Sequence, residues 1–272
     1  MKKIVFIGGG NMGEALISGL LISKQWIPSE IVVTDRRTSA LEALQQKYNV
    51  QTETDNVKAI DQAAIILLAV KPQQMVSVLQ EIGTHITAHQ LVLSIAAGIS
   101  CASIEKFLAP EVPVIRVMPN TPALIGAAAS ALTQGRAATP AHLKIAEHIL
   151  STSGIVVTVP ETMMDAVTAI SGSGPAYVFY VAEAMKEAAQ SLGLSSEIAD
   201  KLIRQTILGA GRMLASSPEE PQELRRRVTS PGGTTEAALH VMEQGQLKSI
   251  FAKALQRAAE RSLELSQEAS RA

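Results

Sequence analysis

Six residues near the start of the chain, Gly8-Gly9-Gly10-Asn11-Met12-Gly13, constrain its fold more than any others. They follow a short apolar run, Lys3 to Ile7, and open a stretch, Asn11 to Ile22, in which Met12, Ala15, Leu16, Gly19 and Leu20 fall at helical spacing. A strand, a G-x-G-x-x-G turn and a helix in that order read as a dinucleotide-binding unit. The first glycine permits the tight turn, the second lets the backbone approach a pyrophosphate, and the third lets helix and strand pack closely. The amides that open the helix then face the anion, aided by the helix dipole. Gly8, Gly10, Asn11, Met12 and Gly13 are therefore the expected pyrophosphate site.

The rest of the first half continues the rhythm. Apolar runs at Ile31 to Thr34, Val50 to Thr52, Ala64 to Val70, Leu91 to Ile95 and Val112 to Val117 alternate with helix-like segments such as Ser39 to Tyr48, capped by Thr38 or Ser39. Runs at Ala127 to Leu132 and Ile155 to Val159, joined by a helix from Ala141 to Leu150, are expected to extend the same sheet. Strands that are apolar throughout and alternate with helices predict a doubly wound, parallel α/β sheet covered on both faces. After Pro160 no strand-like run follows. Helices are expected at Pro175 to Leu192, Ser195 to Leu214, Pro218 to Arg227, Pro231 to Gln244 and Gln246 to Glu268. The fold class is thus α/β, with an N-terminal Rossmann-type domain, residues 1–161, and an all-helical domain, residues 162–272. Hydrophobic residues make up 47% of the chain but aromatics only 3%, so small aliphatic side chains must do the packing. A few long helices of that kind bury little alone, and a homodimer through them is expected.

Charge excludes one class of partner. With 24 basic and 25 acidic residues there is no broad positive field to hold nucleic acid, and Arg225-Arg226-Arg227 reads as a solvated helix face. The single cysteine, Cys101, forms no internal disulfide, which fits a reducing compartment, and a cytoplasmic location is expected. The Ile4 to Ile7 run is too short for a signal segment, and no apolar stretch reaches the roughly 20 residues that span a bilayer.

Cofactor contacts beyond the glycines are expected at the carboxyl ends of the strands. Asp35 ends the second strand, 22 residues after Gly13, where a carboxylate bonds the ribose hydroxyls of NAD. Arg36 and Arg37 follow, and an arginine there suits the 2′-phosphate of NADP. The two signals conflict; the reading leans to NADP, with NAD open. Ala69-Val70-Lys71-Pro72, Ala96-Ala97-Gly98 and Met118-Pro119-Asn120-Thr121-Pro122 close later strands and should line the same crevice.

A second motif lies in the helical half. Thr229-Ser230-Pro231-Gly232-Gly233-Thr234-Thr235 opens a helix, with Ser230 expected as N-cap and Pro231 as first helical residue. Its amides and hydroxyls, at the positive end of a helix, suit a carboxylate. Ser171-Gly172-Ser173-Gly174 opens the long helix, and a packing role and a ligand role both remain open there. Dedicated acid–base groups are scarce. The five histidines do not cluster, and His240, five residues beyond Thr235, is expected to face away. No metal or hydrolase motif is present. Hydride transfer to an already protonated imine needs no strong base.

These residues together resemble the pyrroline-5-carboxylate reductases. The Gly8–Gly13 loop, Ala69–Pro72, Met118–Leu124, Ser171–Tyr177 and above all Ser230–Thr235 carry the likeness, which runs along nearly the whole chain. The resemblance implies NAD(P)H-dependent reduction of 1-pyrroline-5-carboxylate to L-proline. It implies that Asn56, Val70, Lys71 and Ala97 line the cofactor and that Ser230, Gly233 and Thr234 bind the substrate carboxylate. Thr235 would bond the ring nitrogen, and Glu161 would lie near the substrate. It also implies dimers or rings of five dimers. The β-hydroxyacid dehydrogenases share the first-half pattern, but counting on from Gly174 their catalytic lysine would fall at Val178. A sensor that binds the nucleotide without turnover would not need the Ser230–Thr235 site.

Overall fold

The computed structural model describes residues 3–271. The elements are β1 (Lys3–Ile7), α1 (Asn11–Ile22), β2 (Ile31–Thr34), α2 (Thr38–Tyr48), β3 (Gln51–Glu53), α3 (Asn56–Ile60), β4 (Ala63–Leu68), α4 (Met75–Ile82), β5 (Leu91–Ser94), α5 (Cys101–Glu105), β6 (Val114–Met118), β7 (Ala128–Gln134), α6 (Pro140–Leu150), β8 (Gly154–Thr158), α7 (Met164–Val167), α8 (Gly174–Ser191), α9 (Ser196–Ser216), α10 (Pro221–Arg227), α11 (Thr234–Gln244) and α12 (Leu247–Arg271). The chain divides into two compact units, residues 1–173 with 256–272, and residues 174–255.

The first unit is built on one eight-stranded sheet of order β3-β2-β1-β4-β5-β6-β7-β8. The strand order reverses between β1 and β4, the place where open α/β sheets bind ligands. Alternation within the apolar runs serves both faces. Ile4 and Phe6 of β1 pack with Leu16 and Leu20 of α1, whereas Val5 and Ile7 pack with Met75 and Leu79 of α4. The sheet departs from the expected parallel arrangement at one ladder: β7 runs antiparallel to β6, and β8 then pairs parallel with β7. Residues 119–127 are too few for the helical crossover that a parallel return requires.

The second unit is helical and holds little core of its own. Ala199 and Ile203 of α9 are buried, while Phe179, Tyr180, Leu202, Met213, Val241, Met242 and Phe251 are exposed. Ser195 caps α9, its hydroxyl accepting from the Ile198 amide. Helix α2 starts on Thr38 without a side-chain cap. Among the described residues no helix is long and apolar enough to cross a membrane.

Candidate active site

The glycine-rich loop sits at the reversal of strand order. Gly8 has φ +107°, and a methyl carbon there would lie 2.7 Å from the Ala69 carbonyl oxygen. The Ala69 amide in turn donates to the Ile7 carbonyl at 2.8 Å. At Gly13 a methyl would come within 2.9 Å of the Gly8 carbonyl oxygen, so helix and turn touch there. Gly10 differs: no atom lies within 4 Å of where its methyl would be. It is the N-cap of α1 and provides no side-chain cap, so the opening amides keep their donor capacity. Two glycines pack the loop and the third leaves space above it, which fits a pyrophosphate.

Around this loop the other expected cofactor residues gather. Asp35 follows β2; its side chain is 11% exposed and bound on both oxygens. Oδ2 accepts from the Gly9 amide at 3.0 Å, and Arg37 donates through its backbone amide (2.9 Å), Nε (3.1 Å) and Nη2 (3.0 Å). Burial alone would raise the Asp35 pKa, but the Arg37 and Gly9 hydrogen bonds outweigh it and hold the carboxyl below its ordinary value. Arg36 is exposed and, among the described residues, makes no ion pair. Asn56 opens α3; its Oδ1 accepts from the Thr34 hydroxyl at 2.6 Å and its Nδ2 donates to Glu81 at 3.0 Å. Val70 is half-buried, Lys71 and Ala97 are exposed, and Pro72 opens a short 3-10 turn. Gly98 beside Ala97 has φ +74°, a left-handed residue in the turn that follows β5.

Asn120 has a different role from the one its position suggested. It is 7% exposed, and both ends of its amide are committed within the protein. Nδ2 donates to the Ser171 carbonyl and Oδ1 accepts from the Ala129 amide, each at 3.0 Å. Beside it, Gly172 lets Met118 approach its backbone closely, and residues Thr168–Gly172 widen into a π-helical turn. At Ser171-Gly172 the packing alternative therefore has direct contacts behind it.

Glu161 is paired with a residue that sequence reasoning missed. Arg116 on β6 is buried, and its Nη1 lies 2.5 Å from Glu161 Oε1. Arg116 Nη2 and Glu161 Oε2 are buried without a hydrogen-bond partner among the described residues. A lone arginine inside an apolar strand was the available signal, since a buried guanidinium needs an anion.

In the second unit the Ser230–Thr235 motif forms a tight turn ahead of a helix. The Gly233 amide donates to the Ser230 carbonyl at 3.0 Å, and Gly232 has φ +70°. A type II turn requires positive φ at its third position, here Gly232, and favours proline at its second, here Pro231. This corrects the expected start: α11 begins at Thr234 with Gly233 as N-cap, not at Pro231 with Ser230 as cap. The paired glycines therefore lie in the turn, where they carry no helix penalty. The Gly232 amide already holds a carboxylate, Glu236 Oε2 at 2.7 Å. Thr234 is exposed and Thr235 half-buried in the first turn of α11. A depression of ≈ 930 Å³ is lined by Arg225, Gly232, Gly233, Glu236 and His240 among others. His240 thus lines the same depression as the glycines, against the expectation that it faces away.

A glycine cradle at the strand reversal with a charged end to β2 beside it defines a dinucleotide-dependent oxidoreductase. Known proteins agree. Residues 161–265 match the family described as pyrroline-5-carboxylate reductase dimerisation, and residues 3–98 match NADP oxidoreductase coenzyme F420-dependent. The chain is 44% identical to a pyrroline-5-carboxylate reductase of Corynebacterium melassecola, over 97% of this chain and 99% of that one. A solved pyrroline-5-carboxylate reductase from Coxiella burnetii superposes with TM-score 0.92 at 41% identity, covering 97% of this chain and 98% of the other. A Plasmodium falciparum pyrroline carboxylate reductase with NADP bound gives TM-score 0.86 at 29% identity, again covering 97% and 98%. The chain belongs to the pyrroline-5-carboxylate reductase family.

Proposed function

We propose that this chain reduces 1-pyrroline-5-carboxylate to L-proline with NADPH, and with NADH as the second cofactor. The observation that carries the reading is the turn whose Gly232 amide already binds a carboxylate, in a chain that also carries a glycine cradle open at Gly10. Bound reduced nicotinamide supplies a hydride to the carbon of the C=N bond, and the ring nitrogen, already protonated, becomes the amine of proline. The amides and hydroxyls of Ser230, Gly232, Gly233 and Thr234 hold the substrate carboxylate, the Glu236 side chain giving way to it. The Thr235 hydroxyl bonds the ring nitrogen and fixes which atom receives hydride. Gly8, Gly10, Asn11, Met12 and Gly13 hold the pyrophosphate, and Asp35, Arg36 and Asn56 the adenosine side. Ala69, Val70, Lys71, Pro72, Ala97 and the backbone of Asn120 line the remainder. Glu161 acts on the site through Arg116. Orientation supplies most of the acceleration.

The functional division is residues 1–161 for cofactor and 162–272 for substrate and association. The exposed apolar side chains of α8, α9 and α11 support a homodimer, and a ring of five dimers is its larger form. The site of action is the cytoplasm, in keeping with one buried, unpaired cysteine. Incubation with 1-pyrroline-5-carboxylate and NADPH tests the activity: chromatography should show proline in one-to-one amount with cofactor consumed. Cofactor and substrate both unchanged, with protein folded by circular dichroism, would sink it.

A further inference from the structure

We infer that Arg37 sets the choice between the 2′-phosphorylated and the plain cofactor, by filling the carboxylate of Asp35. The inference rests on reading the end of β2 as the adenosine side of the cofactor site. An ionised carboxylate offers about four lone-pair positions. Asp35 uses four: the amides of Gly9 and Arg37, and Nε and Nη2 of the Arg37 side chain, at 2.9–3.1 Å. A ribose diol needs acceptor positions of its own on this carboxylate. The two amide contacts belong to the backbone, and the one from Gly9 ties the glycine loop to β2. The side chain of Arg37 is therefore what a diol must displace, against charge-assisted hydrogen bonds.

The same side chain removes the objection to a phosphate. An unpaired Asp35 would repel it, but Arg37 lies 3.0 Å from Oδ2 and cancels that charge. Arg36, exposed beside the pair, stays available to meet the phosphate. Arg37 thus closes the plain ribose route and permits the phosphorylated one, and it does so as a positioning residue. The hydrogen-bonded carboxyl, held below its ordinary pKa, stays ionised at neutral pH, so the lock persists under working conditions.

The test compares Arg37→Ala, Arg37→Lys and the parent protein by fluorescence titration with NADPH and with NADH, alongside kcat/KM for each. Arg37→Ala should bind NADH more tightly and NADPH more weakly, moving the ratio of dissociation constants by about tenfold or more, a factor of ten corresponding to ~1.4 kcal/mol. Arg37→Lys, which keeps the charge but not the fork, should fall between. A role in folding alone would weaken both cofactors together and leave the ratio fixed, which overturns the inference. A parent protein that binds neither cofactor overturns the cofactor-site reading as well, whereas normal binding with an unmoved ratio overturns this step only.

Discussion

Neutralising Glu161 should destabilise the protein more than removing its buried partner. The Arg116 side chain is 4% exposed and that of Glu161 36%. Glu161→Gln leaves a guanidinium in the protein interior without a counter-charge. Breaking a buried pair this way costs about 3–5 kcal/mol. Glu161 reaches solvent over a third of its surface, which weakens the pairing, so about 2–3 kcal/mol is expected here. Arg116→Met works the other way. It replaces a buried charge by an apolar chain of similar length and leaves the more exposed partner, one of whose oxygens is nonetheless buried, so the cost should be about 1–2 kcal/mol, below that of Glu161→Gln. Urea unfolding of both variants, at one fixed protein concentration because association contributes to stability, measures the difference. The double variant should resemble Arg116→Met, giving a coupling of about 2 kcal/mol. If Arg116→Met costs as much as Glu161→Gln, the argument that the buried partner carries the penalty is wrong.

Four further outcomes follow from the same geometry. Gly8→Ala should lower the melting temperature, since the left-handed φ and the Ala69 carbonyl both oppose a methyl, whereas Gly10→Ala should leave it nearly unchanged and weaken NADPH binding about tenfold or more, as calorimetry would report. Thr235→Ala should reduce kcat by about tenfold or more with little change in cofactor affinity; equal losses in both would remove Thr235 from its assigned role. Cys101, buried and close to the Glu161 charge, has its thiol pushed up to about 12, so a thiol reagent at neutral pH should modify it only after unfolding. Hydrogen bonds from Arg226 to Glu223, and from Arg257 and Arg261 to Glu264, hold those carboxyls at about 2 against an ordinary 4.5. Their stabilising effect is present above 4.5 and is lost as pH falls towards 2, and acid unfolding curves should show the loss shrinking with added salt because the groups are exposed.

Much of the fold could be read in the chain because its strands are continuous aliphatic runs bounded by glycine and proline. Helix α1 follows the glycine turn at the residues its spacing marked. Helix α11 was misread at its start because two local rules compete at Ser230-Pro231: both a capped helix and a type II turn use those residue types. The positive φ of Gly232 decides for the turn. The reversal of β7 was legible only in the shortness of residues 119–127, not in any strand's own composition. Arg116 and Glu161 are 45 positions apart, and no periodicity links them. The conflict between Asp35 and the two arginines likewise had no resolution in composition. Only the structure shows that Arg37 binds the carboxylate while Arg36 makes no ion pair among the described residues. Asn120 shows the opposite limit: a polar side chain at a strand end suggests a ligand contact of its own, and the amide instead bridges Ser171 and Ala129.

The central claim is that hydride passes from reduced nicotinamide to the imine carbon of 1-pyrroline-5-carboxylate. NADPH deuterated at C4, prepared separately in each of its two stereochemical forms, tests this with the product read by mass spectrometry and NMR. The account predicts that one form places a single deuterium on Cδ of proline, the former imine carbon, and that the other form yields unlabelled proline. Proline lacking deuterium from both forms, or cofactor oxidation without proline, would contradict it.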